Sequence, residues 1–348
     1  MSTKQHFCKV PKSTTYLRDF PQLSKLPFPH IPQIAFINCD DTKPEFVNKF
    51  GTVSDVFYNL LKNYLQSLLH PRPACEWFSN DGWFDWHCFD AQKGQLPILD
   101  GTARYDCIIV GGSSSCVNDS DEWICNLSNL IYEAALMHSD IKLIGVCFGH
   151  QLICKVLYSH VRVVKGPWEV GPYTIKLNQA GSLLFGGVNT LNLNMLHADS
   201  VCSESYETRL RHSVIGEFRG ANASPACFLH SDRSPVSQPI TWGNTVCTEA
   251  TTCQGTVVFD SDLGAIGNAD GVRVRVFTMQ GHPETTESMA ELLLELFTRP
   301  GEDKEAIPEC VAEEARKRMA CSSGVLDLDR VAGTIWAVAS GARFPTFD

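Results

Sequence analysis

Residues 142–157 constrain the architecture of this chain more than any other stretch. The apolar run Lys142-Leu143-Ile144-Gly145-Val146 leads into Cys147, Phe148 and Gly149, and then into the helix-like His150-Gln151-Leu152-Ile153-Cys154-Lys155-Val156-Leu157. A strand that passes through Gly-x-Cys-x-Gly into a helix leaves the cysteine on a sharp turn above the sheet edge, the cysteine version of a nucleophile elbow. The helix start beneath the sulfur favours the thiolate. Cys147 is therefore the candidate nucleophile, whereas a buried cysteine elsewhere is ordinarily an inert small hydrophobe. His150 is a poor choice of base, because one-residue steps on a helix do not share a face.

A base is offered far downstream. Val272-Arg273-Val274-Arg275-Val276 alternates apolar and charged residues as a strand does, and the run continues to Gln280-Gly281-His282-Pro283-Glu284. Pro283 biases His282 toward extended geometry, and in an extended stretch residues two apart point the same way. His282 and Glu284 can then act together, the imidazole taking the thiol proton while the carboxylate fixes its tautomer and supports the imidazolium.

The segments Gly145-Val146-Cys147-Phe148-Gly149-His150-Gln151 and Gln280-Gly281-His282-Pro283-Glu284, in this order and spacing, resemble the class I glutamine amidotransferases. The closest resemblance is to their free-standing GMP-synthase-like and γ-glutamyl-peptidase-like branch. It extends to Tyr105–Ser115 and to Gly166-Pro167-Trp168-Glu169-Val170-Gly171, and so spans most of residues 31–298. Two related groups fit less well. DJ-1-type proteins place His directly after the nucleophile, where Phe148 stands; folate-type γ-glutamyl hydrolases continue Gly-Phe-Glu, where Gly149-His150-Gln151 stands.

The resemblance implies a flavodoxin-like α/β fold, a mostly parallel sheet with helices on both faces. It implies attack of Cys147 on a γ-glutamyl amide, release of glutamate and ammonia or amine, and no cofactor. Attack on a carboxamide creates an oxyanion that needs fixed backbone donors. The N–H of Phe148 is one candidate, and the N–H of Gly112 matches the family's other, although family members often carry Pro where Ser113 stands. Gln151 matches a residue that contacts substrate glutamine, and Trp168 and Glu169 fall in the family's substrate-side loop. His197-Ala198-Asp199 resembles a His-x-Asp segment near the catalytic mouth, which in fused synthetases helps communicate with the ammonia acceptor.

Composition narrows the partners. With 44% hydrophobic residues over 348, the chain can bury a sizeable core. A net charge of −10 gives no support for nucleic-acid or membrane binding. The basic run Arg316-Lys317-Arg318 follows Glu313-Glu314 and reads as a solvated, internally paired helix face. The first thirty residues lack the pattern of a secretory signal, and no apolar run suffices to span a membrane, so a cytoplasmic location is expected. The 15 cysteines are spread through apparent core segments, as at Cys107, Cys125 and Cys154, without zinc-site spacing, so no metal ligands are assigned.

Along the chain, residues 1–30 read as an N-terminal arm, 31–300 as the amidotransferase-like domain and 301–348 as a C-terminal helical extension. Strands are expected at Ile31–Asn38, Phe84–Phe89, Tyr105–Val110, Lys142–Val146, Tyr173–Leu177 and Leu191–Leu196. Helical periodicity runs from Val53 to Leu68, and Asp119 with Glu122 looks like the cap of a second helix. Alternating strands and helices imply a sheet covered on both faces, with the site at the carboxyl ends of strands. Residues 219–255 lack a period and read as an insertion, a lid-like loop or disorder.

Three functions fit this sequence: a glutaminase that supplies ammonia to an acceptor partner protein, a peptidase acting on γ-glutamyl peptides or conjugates, and a non-catalytic regulatory or binding protein on the same fold. The chain after Glu284 is short for a synthetase domain, and no Gly-x-x-x-x-Gly-Lys-Ser/Thr loop occurs. The expectation is hydrolysis without ATP, tilted toward γ-glutamyl peptides.

Overall fold

A computed structural model describes residues 31–69, 82–158, 161–203, 240–241, 243–245, 251, 253–260, 271–299, 306–321 and 325–344. The expected arm at 1–30, and residues 219–239 of the expected insertion, lie outside the described residues.

The chain begins with β1 (Gln33–Asn38), α1 (Pro44–Phe50), α2 (Val53–Leu69), β2 (Asp85–Asp90), β3 (Cys107–Val110), α3 (Glu122–Met137), β4 (Lys142–Val146) and α4 (Phe148–Leu157). It continues through β5 (Val161–Leu177), α5 (Gln179–Leu184), β6 (Thr190–Ser203), β7 (Ile240–Thr241), β8 (Gly243–Thr245), β9 (Gly255–Phe259) and β10 (Val272–Met279). The last elements are α6 (Glu287–Phe297), α7 (Glu309–Cys321), α8 (Leu328–Ala339) and β11 (Arg343–Phe344).

The main sheet has the order β2-β1-β3-β4-β10-β9-β7, with β11 also on β10. From β2 to β10 all neighbours are parallel, while β9, β7 and β11 pair antiparallel. This is the flavodoxin-like α/β arrangement that the sequence implies. The central strands are apolar runs buried on both sides, as parallel strands under helices must be. Alternation sends their side chains to opposite faces. Ile34, Phe36 and Ile109 join Phe57, Leu61 and Trp336 under α2 and α8, whereas Ala35, Ile37 and Ile108 join Leu127, Ile131 and Leu152 under α3 and α4. Each large apolar side chain removed from water in these two layers contributes about 1.5–3 kcal/mol.

The strands expected at Tyr173–Leu177 and Leu191–Leu196 are parts of longer ones. β5 and β6 form a long antiparallel ribbon, joined by β8 into a second sheet. A bridge between Asn194 and His282, with the His282 N–H donating to the Asn194 carbonyl at 2.9 Å, ties this ribbon to the end of β10.

Two segments join the sheets at places that the expected boundaries leave open, and one helix start differs from the expectation. Within 219–255, Ile240–Thr241 pairs with β9 and Gly243–Thr245 with β5. The expected C-terminal helical extension packs against the main sheet. Trp336 of α8 is 1% exposed, Phe344 pairs with Val272, and the Asn192 N–H donates to the Asp327 carboxylate at 2.8 Å. Finally, α3 begins after Asp121 without a side-chain cap; Asp119 instead accepts from the Cys116 N–H at 3.3 Å, inside the preceding turn.

The basic face of α7 is paired as expected for Arg316 with Glu309 (2.7 Å) and Lys317 with Glu314 (2.8 Å). Arg318 does something else. It lies over the Tyr173 ring, 4.7 Å from its centroid, and donates to the Val170 carbonyl, docking α7 on β5. Among the thiols, Cys107 and Cys154 are free and buried, but Cys125 is disulfide-bonded.

Candidate active site

The register of the main sheet brings the two sequence motifs together. β4 and β10 are parallel neighbours with Val146 opposite Met279, so the residues that follow both strands emerge side by side at the sheet's carboxyl edge. The Cys147 N–H donates to the Met279 carbonyl at 2.9 Å.

The elbow has the expected strain. Cys147 has φ +53° and is the only non-glycine residue with positive φ among those described, a conformation that costs of order 1–3 kcal/mol and persists only where its surroundings enforce it. Gly145 and Gly149 make it sterically feasible. A Cβ on Gly149 would lie 2.1 Å from the Val110 carbonyl oxygen, and one on Gly145 would lie 2.5 Å from the Gly149 oxygen. These two glycines let α4 start directly against β3 and β4.

His282 and Glu284 form a pair, Nδ1 to Oε1 at 2.7 Å, with both side chains largely buried. Since Nδ1 serves the carboxylate, Nε2 is left for the thiol; it has no well-aligned hydrogen bond among the described residues. Catalytic contacts of this kind commonly tighten only when substrate binds. Burial opposes charge on this imidazole, but Glu284 first, and then Cys147, outweigh it and hold the pKa well above the ordinary histidine value. The resting site therefore favours imidazolium beside the sulfur.

Gly112 lies against both groups. A Cβ there would meet His282 Cε1 at 3.3 Å and Cys147 Cβ at 3.6 Å. Phe148 is the first residue of α4, so its N–H has no intrahelical acceptor; its ring packs on Trp123, with centroids 5.4 Å apart. The elements expected to supply oxyanion donors thus flank Cys147. A small pocket lined by Val170, Asn194, Leu196, Leu293 and Met319 opens beside His282.

The residues expected to contact substrate, Gln151, Trp168 and Glu169, all have partners within the protein. Glu169 is fully buried, its carboxylate 3.1 Å from His197 Nε2 and 3.2 Å from Gln254 Nε2. It pins β5 to β6 and to the approach to β9, away from solvent. Trp168 packs partly buried on the small cluster of Val170, Leu294 and Ala315. Gln151 is also buried, and its amide donates to the Asp199 carbonyl at 2.9 Å and to Gln280 Oε1 at 3.1 Å. His197 and Asp199 are therefore the structural partners of Glu169 and Gln151. Gln280, to which the sequence reading gave no role, lies next to the sulfur, its Nε2 3.6 Å from Cys147 Sγ.

Among the described residues, no group of three or more His, Cys, Asp or Glu side chains is placed to hold a metal ion. No helix among them is long and apolar enough to cross a membrane.

No protein-family model matches the chain. A glutamine amidotransferase-like protein of Schizosaccharomyces pombe is 26% identical over 170 residues, covering 48% of this chain and 63% of the relative. Gamma-glutamyl peptidase 2 of Arabidopsis thaliana is 27% identical over 129 residues, covering 36% of this chain and 51% of the relative. A crystal structure of a glutamine amidotransferase from Thermotoga maritima superposes on 89% of this chain and 99% of its own, with TM-score 0.50 and 15% identity. The chain is similar to class I glutamine amidotransferases. It spans 63% and 51% of the length of these two curated relatives, and its fold is that of the Thermotoga protein.

Proposed function

We propose that the chain is a cysteine hydrolase of γ-glutamyl amides, with Cys147 as nucleophile, His282 as acid and base, and Glu284 as the group that orients and charges His282. The observation that carries this reading is the meeting of a strained elbow cysteine with a His–Glu pair over one glycine: Cys147 at φ +53°, His282 to Glu284 at 2.7 Å, and both Cys147 and His282 close above Gly112.

The chemistry follows from these positions. The Cys147 thiolate attacks the γ-carbonyl carbon, and the carbonyl π electrons move to oxygen, where the Gly112 and Phe148 N–H groups are the donors assigned to the oxyanion. Collapse breaks the C–N bond as the His282 imidazolium protonates the departing ammonia or amine. A water, deprotonated by the now neutral His282, adds to the γ-glutamyl thioester, and glutamate leaves with regeneration of the thiolate. Substrate and water balance both halves, so this scheme calls for no cofactor.

Between glutamine and γ-glutamyl peptides, the similarity to gamma-glutamyl peptidase 2 of Arabidopsis thaliana favours the second. Glutamine hydrolysis feeding an ammonia-accepting partner protein is the alternative. Product analysis of wild type and Cys147→Ala on glutamine and a γ-glutamyl dipeptide panel tests both. Turnover in buffer alone, lost in Cys147→Ala, supports the hydrolase; a requirement for ATP or a second protein would replace it with a partner-gated subunit.

A further inference from the structure

Beneath the nucleophile lies a chain of hydrogen bonds that the mechanism above does not use. Its direction is set by one backbone carbonyl. The Asp199 oxygen can only accept, so the group of Gln151 facing it at 2.9 Å is the NH₂, and the same NH₂ donates to Gln280 at 3.1 Å. Gln280 must receive that bond through its oxygen, which turns its own NH₂ toward Cys147 Sγ at 3.6 Å. An amide flip at either residue would set donor against donor or acceptor against acceptor. Gln280 is fully buried and its backbone N–H is held by the Gln254 carbonyl at 2.9 Å, so the side chain has little freedom to turn away. The sulfur's other neighbour on this side, the Leu196 carbonyl at 3.9 Å, is an acceptor and gives nothing to an anion.

We propose that Gln280 is a further catalytic residue, donating a side-chain N–H to the Cys147 thiolate, and that Gln151 is a positioning residue which fixes that donor's orientation from the Asp199 carbonyl. A hydrogen bond to an ionised acceptor is about twice as strong as one between neutral groups, so this donor favours the thiolate over the thiol and shapes the sulfur's lone pairs for attack. The proposal rests on Cys147 being the nucleophile of the hydrolase described above.

The test is the rate of Cys147 alkylation by iodoacetamide in the full chain, followed by peptide mapping across pH, for wild type, Gln280→Leu, Gln280→Glu and Gln151→Met. Removing the donor in Gln280→Leu should slow alkylation at neutral pH about tenfold and move the rate–pH profile alkaline. Gln280→Glu, of the same size but turning a carboxylate to the sulfur, should slow it further; Gln151→Met, which touches no sulfur, should slow it about threefold. If Gln280→Leu melts early, the isosteric Glu variant carries the comparison. In the wild-type chain, the Gln280 side-chain amide protons should shift as Cys147 titrates and stay fixed in Cys147→Ala. Unchanged profiles in folded Gln280 variants, or amide resonances indifferent to Cys147, overturn the proposal. Turnover of γ-glutamyl substrates, measured in parallel, separates the two ideas: turnover with Gln280-independent alkylation rejects only the relay, and Gln280-dependent alkylation without turnover rejects only the hydrolase.

Discussion

Two cysteine–histidine pairs lie within about two turns of α4 of each other, and they have opposite electrical characters. Cys147 sits on the elbow with His282, which Glu284 backs. Cys154 lies deeper on α4, its Sγ 3.6 Å from His150 Nδ1, in a knot with Thr256 and Thr278. Burial pushes the Cys154 thiol up to about 12 and, with His197 adding to it, pulls His150 down to about 3. The same burial acts on His282, yet the Glu284 carboxylate and Cys147 reverse its effect. Proximity of sulfur and imidazole alone thus does not set their character. A carboxylate behind the imidazole and a strained turn beneath the sulfur separate the first pair from the second.

The sharpest way to break this comparison is to delete each sulfur. Under the account above, Cys147→Ala and His282→Ala lower kcat/KM on γ-glutamyl substrates by about 10⁴-fold or more, whereas Cys154→Ala leaves it within a few-fold and instead lowers the melting temperature. A dead Cys154→Ala that still melts like wild type would erase the distinction.

A smaller effect is expected from Glu284→Gln, which keeps the shape of the pair but removes its charge. Losing a correctly charged orienting group should cost about 10²–10⁴-fold in kcat, with little change in KM, and should bring the His282 titration seen by NMR down toward the ordinary histidine range. A His282 pKa unmoved by the substitution would mean that Glu284 is not what holds it up.

The two histidines also predict opposite contributions to stability, a difference that sharpens the comparison without reference to activity. His150 has a depressed folded pKa, so the unfolded state takes up protons first; its contribution is present above about 6.5 and is lost as pH falls toward 3. For His282 the folded pKa is raised, so its contribution is full below the unfolded value and is lost only as pH rises through the folded one. Urea midpoints of wild type and His150→Asn should therefore converge between pH 6.5 and 4, because the variant lacks the acid-sensitive group. A constant gap across that window would show that His150 is not held neutral.

Much of this was legible in the sequence, for reasons that differ by region. β1, β3, β4 and β10 belong to a parallel sheet buried on both faces, and such strands appear as short apolar runs with turns at their ends. Gly145 and Gly149 mark the elbow because no other residue fits against the carbonyls above them. What escaped the sequence is instructive too. β7 and β8 are too short for any period to show. The helix Leu328–Ala339 falls inside the expected C-terminal helical extension, and Val331, Ala332, Ile335, Trp336 and Val338 leave it apolar all round, the mark of a buried helix. Gln280 stood inside a recognised motif, but its contact with Cys147 depends on the register of β4 against β10, which no local pattern encodes. Glu169 and Gln151 carry the charge and amide of substrate contacts, and their partners His197, Gln254 and Asp199 come from segments that no local pattern links to them.

The claim on which the rest depends is that a γ-glutamyl group passes through the Cys147 sulfur. Rapid acid quenching of the wild-type chain during turnover of a γ-glutamyl dipeptide, followed by peptide mass mapping, tests it directly. The account predicts a γ-glutamyl thioester on the peptide that contains Cys147, at a level that rises to a steady state and disappears when substrate is exhausted, and none on the peptide that contains Cys154 in the Cys147→Ala chain. Turnover that proceeds with no adduct on Cys147, or that survives in Cys147→Ala, would contradict it.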